Sequence, residues 1–141
     1  QEEIGARGAM VSSYTVNPDY AIVVESTTAS DIPDTPDRKK VCKAGEGAVV
    51  TFMDRGTIYN KDLYKKAFEL AKQNNIPCQT KTVVAGGNDS GAIHISGDGV
   101  RTISISLPCR YLHSPSCVIA KEDFENANKL TAALIKKVHS L

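Results

Sequence analysis

No charge excess, no paired-cysteine motif and no long apolar run marks this sequence. Its 17 lysines and arginines are balanced by 16 aspartates and glutamates, and the clusters Arg38-Lys39-Lys40 and Lys136-Lys137 are short and scattered. That is not the footprint of a nucleic-acid binder. Cys42, Cys78, Cys109 and Cys117 form no CxxC pair and are too sparse for a small disulfide scaffold, so reduced, mostly buried thiols are expected. No run approaches the roughly 20 apolar residues that span a bilayer. Neither nucleic acid nor membrane is an expected partner, and the expected location is the cytoplasm. Repeats and low-complexity stretches are lacking as well. An initiator methionine is also missing: the chain opens on Gln1-Glu2-Glu3 with no earlier element for Ile4 and Gly5 to pack on, and it reads as a fragment. At 141 residues it is still long enough to bury about two-thirds of its unfolded surface as one domain.

What is present is an alternation of strand and helix patterns. Gly5 to Tyr14 suits a short helix packed closely on a sheet, with Ala6, Ala9, Met10 and Ser13 on one face, ended by Asn17-Pro18-Asp19. Tyr20 to Glu25 (YAIVVE) reads as a strand buried on both faces, with Glu25 at its carboxyl end. Ser30 to Lys40 holds two prolines and three aspartates and reads as an exposed loop. Gly47 to Met53 resumes strand character, and Asn60 caps a helix running to Asn74 whose apolar face is Leu63, Ala67, Leu70 and Ala71. A strand over Cys78 to Val84 leads through a glycine-rich turn at 85–91 into a short helix reaching about Ile95. Arg101 to Leu107 (RTISISL) alternates with period two, as a strand with two different faces does, and Pro108 is expected to stop it. Lys121 to Leu141 is the longest helical pattern, with Phe124, Ala127, Leu134, Val138 and Leu141 on one stripe and basic residues in the last turns. Such an order favours an α/β fold with a mostly parallel sheet and helices outside it.

Few residues stand out for chemistry. Adjacent Glu2 and Glu3 diverge on extended backbone, so at a strand end one can bind a metal while the other handles protons. Taken alone the pair is more simply a solvated acidic terminus. Glu25, closing a strand, stands where ligands gather in open α/β sheets, yet it also suits an ordinary loop-facing carboxylate. His113 in Pro108-Cys109-Arg110-Tyr111-Leu112-His113-Ser114-Pro115 could complete an oxygen-rich site for zinc, cobalt or manganese, although a lone histidine is more often structural. His94 and His139 read as structural. Gly86-Gly87-Asn88-Asp89 lacks the spacing of a phosphate loop, no GxSxG surrounds any serine, and no cysteine-protease signature surrounds Cys109.

Four ordered blocks, QEEIGARGA, VVESTTASDIPDTP, AGGNDSGAIHISGDGVRTISISLP and CRYLHS, together resemble the M42 metallo-aminopeptidases over the whole chain. The resemblance implies an α/β three-layer sandwich with a mostly parallel mixed sheet, part of a zinc-peptidase (phosphorylase/hydrolase-like) catalytic domain. Residues 1–141 would be its carboxy-terminal portion, with the amino-terminal portion and an inserted β-rich domain absent. It also implies two divalent metal ions, zinc or cobalt, a peptide substrate, and a homo-oligomer, a dodecamer in the family. Carried over by position, Glu2 matches the catalytic base, Glu3 and His113 match ligands of one metal, Glu25 matches a ligand of its neighbour, and Asp89 lies near the substrate. Asp89 lies in the block that family members often write GGTD. Two departures follow. Glu25 stands where many relatives have aspartate. The family's first histidine ligand and its bridging aspartate belong upstream of Gln1, so the expected metal site on this chain is incomplete and the chain alone is expected to be inactive. A different class of reading is a non-catalytic module that packs on a partner or on itself.

Overall fold

The computed structural model describes residues 1–138. Four strands form one sheet in the order β1 (Tyr20–Thr28), β4 (Arg101–Cys109), β2 (Ala48–Thr51), β3 (Cys78–Thr80). β1 runs parallel to β4 and β2 parallel to β3, while β2 and β4 are antiparallel. This is the mixed α/β sheet that the alternation of elements implies.

β4 lies inside the sheet, and its period of two sorts its side chains. Ile103 and Ile105 point to a core shared with Val50 of β2, with Leu63, Ala67 and Leu70 of α2 (Lys61–Gln73), and with Ala127, Leu130 and Leu134 of α4 (Lys121–Ile135). Thr102, Ser104 and Ser106 point the other way and are also buried. Both expected faces exist, one apolar and one hydroxylic. Pro108 does not stop the strand: it lies within β4, opposite Thr27 of β1, and is buried. β2 pairs only with Ser104 to Ser106, so Pro108 has a ladder neighbour on one side, where a missing N–H is tolerated.

α2 follows its sequence pattern closely. Asn60 Oδ1 accepts the Asp62 and Leu63 N–H groups at 3.1 and 3.0 Å, and the buried face is Leu63, Ala67, Leu70 and Ala71. α4 departs from its expected stripe: Phe124 is 53% exposed, and Asp123 and Leu130 take buried places instead. Asp123 fits there because its carboxylate accepts the Gly45 N–H at 2.6 Å and the Gly47 N–H at 2.7 Å, the second a buried donor that needs an acceptor. α4 ends at Ile135, so no basic residue lies in its last turn, and His139 and Leu141 fall outside the described residues.

Other expectations are corrected at element ends. β1 continues to Thr28, which places Glu25 inside the strand and not at its carboxyl end. It is an edge strand in this sheet, with Val24, Ser26 and Thr28 exposed, so burial on both faces does not hold. β2 stops at Thr51 because 53–58 turns back on itself through a Met53–Ile58 bridge, and β3 stops at Thr80, its last pair with β2, opposite Val50. α1 (Arg7–Val16) leans on α3 (Ser90–Ile93) and not on the sheet; only Ser13 is buried, and Met10 is 56% exposed.

Gly45 and Gly47 both adopt left-handed backbone, φ 91° and 93°, around the Asp123 carboxylate. A Cβ at Gly45 would meet nothing within 4 Å, whereas at Gly47 it would lie 2.1 Å from the Pro77 carbonyl oxygen, a backbone atom with no easy retreat. Both alanine variants carry the same backbone strain, about 1–3 kcal/mol. Gly47→Ala is therefore expected to lose several kcal/mol more than Gly45→Ala in urea unfolding, and equal losses would show that the close approach to Pro77 is not a constraint.

Candidate functional site

The edge strand β1 opens into a cleft of about 620 Å³. Its floor is β1 around Glu25. Its walls are the 3-10 turn Glu2–Ile4, Lys81, the loop 85–89, and Leu112 and His113 beyond β4. Glu2, Glu3, Glu25, Asp89 and His113 therefore border one space, although they are spread over more than 100 residues of sequence. The charge balance is acidic: four carboxylates face Lys81 and the His113 imidazole.

Local structure explains how each is held. Glu2 and Glu3 lie in a single 3-10 turn closed by the Gly5 N–H on the Glu2 carbonyl, and Gly5 (φ 111°) and Ala6 (φ 52°) then turn the chain into α1. His113 lies in a tight loop in which Tyr111 (φ 60°) and His113 (φ 63°) are both left-handed, a costly geometry for residues bearing a Cβ. The loop is tied at its base by the paired N–H···O=C bonds between Arg110 and Val118, 2.9 and 3.0 Å, and inside by the Ser114 hydroxyl donating to the Tyr111 carbonyl at 2.6 Å. Arg110 is anchored in turn. Its Nε and a terminal nitrogen each donate to one oxygen of Asp31 at 2.8 Å, the bidentate fork that suits guanidinium and carboxylate.

The result is that the His113 Nδ1 lies 3.6 Å from Glu3 Oε1, both groups well exposed at the cleft rim. Glu25 is deeper. Its Oε1 accepts from Asn88 Nδ2 at 2.7 Å, with the Ser104 and Ser106 hydroxyls at 3.4 Å, while Oε2 takes no hydrogen bond among the described residues. Burial raises the Glu25 carboxyl above the ordinary carboxylate range, and the Asn88 hydrogen bond and the Lys81 charge work against that rise. Glu2 adds to the rise, so its charge is felt at Glu25. Asp89 borders the cleft at the start of α3, half-buried, and its side chain caps nothing. His94 is structural, its Nδ1 2.8 Å from the Ser90 carbonyl.

A carboxylate oxygen and an imidazole nitrogen facing each other are donors that zinc-like or cobalt-like cations accept, and Glu3 and His113 fit that role. Among the described residues no group of three His, Cys, Asp or Glu side chains closes around a single point. The Glu3–His113 pair and the Glu25 carboxylate are groups on this cleft whose chemistry suits such a cation.

Residues 1–130 match the family model for M42 glutamyl aminopeptidase. The chain belongs to the M42 family. A lysyl aminopeptidase of Pyrococcus furiosus is 36% identical over 139 residues, which cover 98% of this chain and 39% of that protein. Among solved structures, the TET aminopeptidase of the marine sediment archaeon Thaumarchaeota archaeon SCGC AB-539-E09 superposes with a TM-score of 0.94 at 36% identity, covering 98% of this chain and 38% of that one. The TET1 peptidase of Pyrococcus horikoshii, which can assemble into a tetrahedron or a large octahedral shell, gives 0.79 at 33% identity over 94% of this chain and 37% of that one. The M42 chain described here thus spans about 40% of the length of the relatives it matches. Among the described residues no helix is long and apolar enough to cross a membrane.

Several residues that build this M42 cleft carry no signal in sequence. Tyr59 and Asp54, buried beneath Asn88, come from an unremarkable hairpin, and the Asp31–Arg110 fork joins positions 79 residues apart. The fork holds the Asp31 carboxyl down at about 2, against an ordinary value of 3.8. Its contribution to stability is full above about pH 4 and is lost as the pH falls through 2. Asp31→Asn is expected to flatten the pH dependence of the thermal midpoint between about pH 4 and 2 and to lower the midpoint at pH 7; an unchanged slope there would show that the fork does not anchor the His113 loop.

Proposed function

We propose that the parent protein of this M42 chain hydrolyses amino-terminal residues from peptides at a site holding two divalent ions, zinc or cobalt. In this reading Glu3 and His113 are donors to one ion and Glu25 to its neighbour. The observation that carries it is the meeting of Glu3 and His113 at 3.6 Å on the rim of the cleft that Glu2 and Glu25 also border. Bound there, such ions supply Lewis acidity that activates water and opposes the charge of a tetrahedral oxyanion. Glu2 takes the proton of the attacking water on its carboxylate and returns it to the departing amine, so that the leaving group departs neutral. In this reading Asp89, which also lines the cleft, meets the substrate's free amino group by charge.

With two partial donor sets and no third ligand on either, the chain by itself is proposed to bind metal weakly and to turn over no substrate. Assembly of the whole protein into a homo-oligomer is proposed from the shells formed by the P. horikoshii relative. A second reading, a module that associates through an uncovered surface without catalysis, is favoured by one observation: Ile4, Val11, Tyr14 and Val16 leave an apolar strip exposed along the first turn and α1.

The test is release of a chromophore from amino-acid anilides bearing acidic, basic and aliphatic side chains, with cobalt or zinc added. It compares this chain, a protein of the relatives' full length, and Glu2→Gln in that longer protein. The longer protein is expected to turn over, Glu2→Gln to lower kcat by about 10²–10⁴-fold, and this chain to show no turnover above background. Activity indifferent to Glu2→Gln would overturn the mechanism. Sedimentation of this chain as a dimer or larger, with no activity in the longer protein, would favour the second reading.

A further inference from the structure

Behind Glu25 lies a buried chain of hydrogen bonds whose direction is fixed at both ends. At the far end, Asp54 is 2% exposed, and its Oδ1 accepts the Gly56 and Thr57 N–H groups, both at 2.8 Å. Its Oδ2 accepts the Tyr59 hydroxyl at 2.5 Å. An ionised carboxylate can only accept, so the Tyr59 proton points at Asp54 and the phenol oxygen is left to accept. It does so from Asn88 Nδ2 at 3.0 Å. At the near end, Asn88 Oδ1 accepts the Ser90 N–H at 2.8 Å, which decides which way round the amide stands: its NH₂ must face Tyr59 and Glu25. One of those N–H groups donates to Glu25 Oε1 at 2.7 Å.

Glutamate reaches the cleft through three rotatable bonds, and a donor set needs its oxygen in one place. Oε1 is drawn against the sheet by Asn88, Ser104 and Ser106, and Oε2 is the oxygen that no described residue occupies. We propose that Asn88 is the positioning residue of Glu25, holding Oε1 back, in a chain backed by Tyr59 and Asp54, so that Oε2 is presented to the cleft. The inference rests on the reading of Glu25 as a donor to a divalent ion. It gives Asn88, which touches neither substrate nor ion in this reading, a role exercised through the side chain beside it.

A double-mutant cycle on this chain tests it, with Co²⁺ uptake followed by visible absorbance. Asn88→Ala is expected to weaken Co²⁺ binding by about 10–100-fold when Glu25 is present, and by less than about twofold in a Glu25→Ala background, since Asn88 then has nothing to orient. Tyr59→Phe keeps the ring in the core and removes only the hydroxyl, so it gives a smaller loss in the same direction even if Asn88→Ala folds poorly. A reading without metal runs alongside: the two side-chain amide protons of ¹⁵N-labelled Asn88 are expected to be well separated, and Glu25→Ala to move the downfield one upfield. Equal losses of affinity in both backgrounds, or an Asn88 amide indifferent to Glu25→Ala, would overturn the proposal. If the unaltered chain takes up no Co²⁺, the same cycle is read in the protein of the relatives' full length, where absence of uptake would overturn the donor reading of Glu25, and the amide spectrum then decides whether Asn88 holds that carboxylate.

Discussion

β4 is flanked by strands on both edges and covered on both faces, and its alternation of isoleucine with serine or threonine divides the molecule into two sides. The isoleucines commit one side to α2 and α4, where burial of apolar area supplies most of the folding free energy. The hydroxyls cannot be left on the other side without partners, because a buried polar group lacking a hydrogen bond is costly. Ser104 and Ser106 find each other at 3.2 Å and find Glu25 across the parallel ladder, where the register sets Glu25 opposite Ser106. A shift of one residue in that register would turn Glu25 toward the helices and Val24 toward the serines, exchanging a satisfied carboxylate for a buried unpaired one. The same strand thus fixes the core and the floor of the cleft.

Acidic side chains in this chain divide by what they accept. Asp123 and Asp54 take backbone N–H groups from tight turns, and Asp31 takes the Arg110 fork and the Ala44 N–H. Asp123 and Asp31 tie loops to distant elements, Asp54 closes the turn that follows it, and each is too occupied to serve a ligand. Among the described residues Glu2, Glu3, Asp89 and the outer oxygen of Glu25 are left with no hydrogen-bonding donor, and all border the same cleft. An acidic surface with its carboxylates so unevenly spent is suited to cations or to an amine, and Lys81 and the His113 imidazole stand at its walls.

How much of this was legible in the sequence follows from the range over which each feature is determined. α2 was legible to the residue, because its cap and its apolar period lie within fifteen positions of one another. The two faces of β4 were legible for the same reason, but not that both would be buried, which depends on where the rest of the chain returns. The α4 stripe was misread at Phe124 because Asp123 is buried by two glycine N–H groups 76 and 78 residues away, and that contact sets the rotation of the helix. Glu2, Glu3, Glu25 and His113 were marked by resemblance to a family and not by any local physical signal. Asn88 was visible only as part of a turn, since its partners Tyr59 and Glu25 lie 29 and 63 residues away.

The substitution pattern at the cleft floor has a physical logic of its own. A glutamate carries its carboxylate one methylene further from the backbone than an aspartate would and adds a torsion, and both must be absorbed if the group is to keep a fixed position. The asparagine in GGND meets that need better than a threonine could. Its amide has two N–H donors and an acceptor, enough to bond Glu25, Tyr59 and the Ser90 N–H together, whereas a hydroxyl has one proton to give. Tyr59 is the shorter of the two acceptors open to the second N–H of Asn88, at 3.0 Å against 3.4 Å for the Ser104 hydroxyl. Residues 25, 59 and 88 therefore behave as one unit in which a change at any position alters what the other two can satisfy, and the identity of each is best understood as a constraint set by the pair beside it.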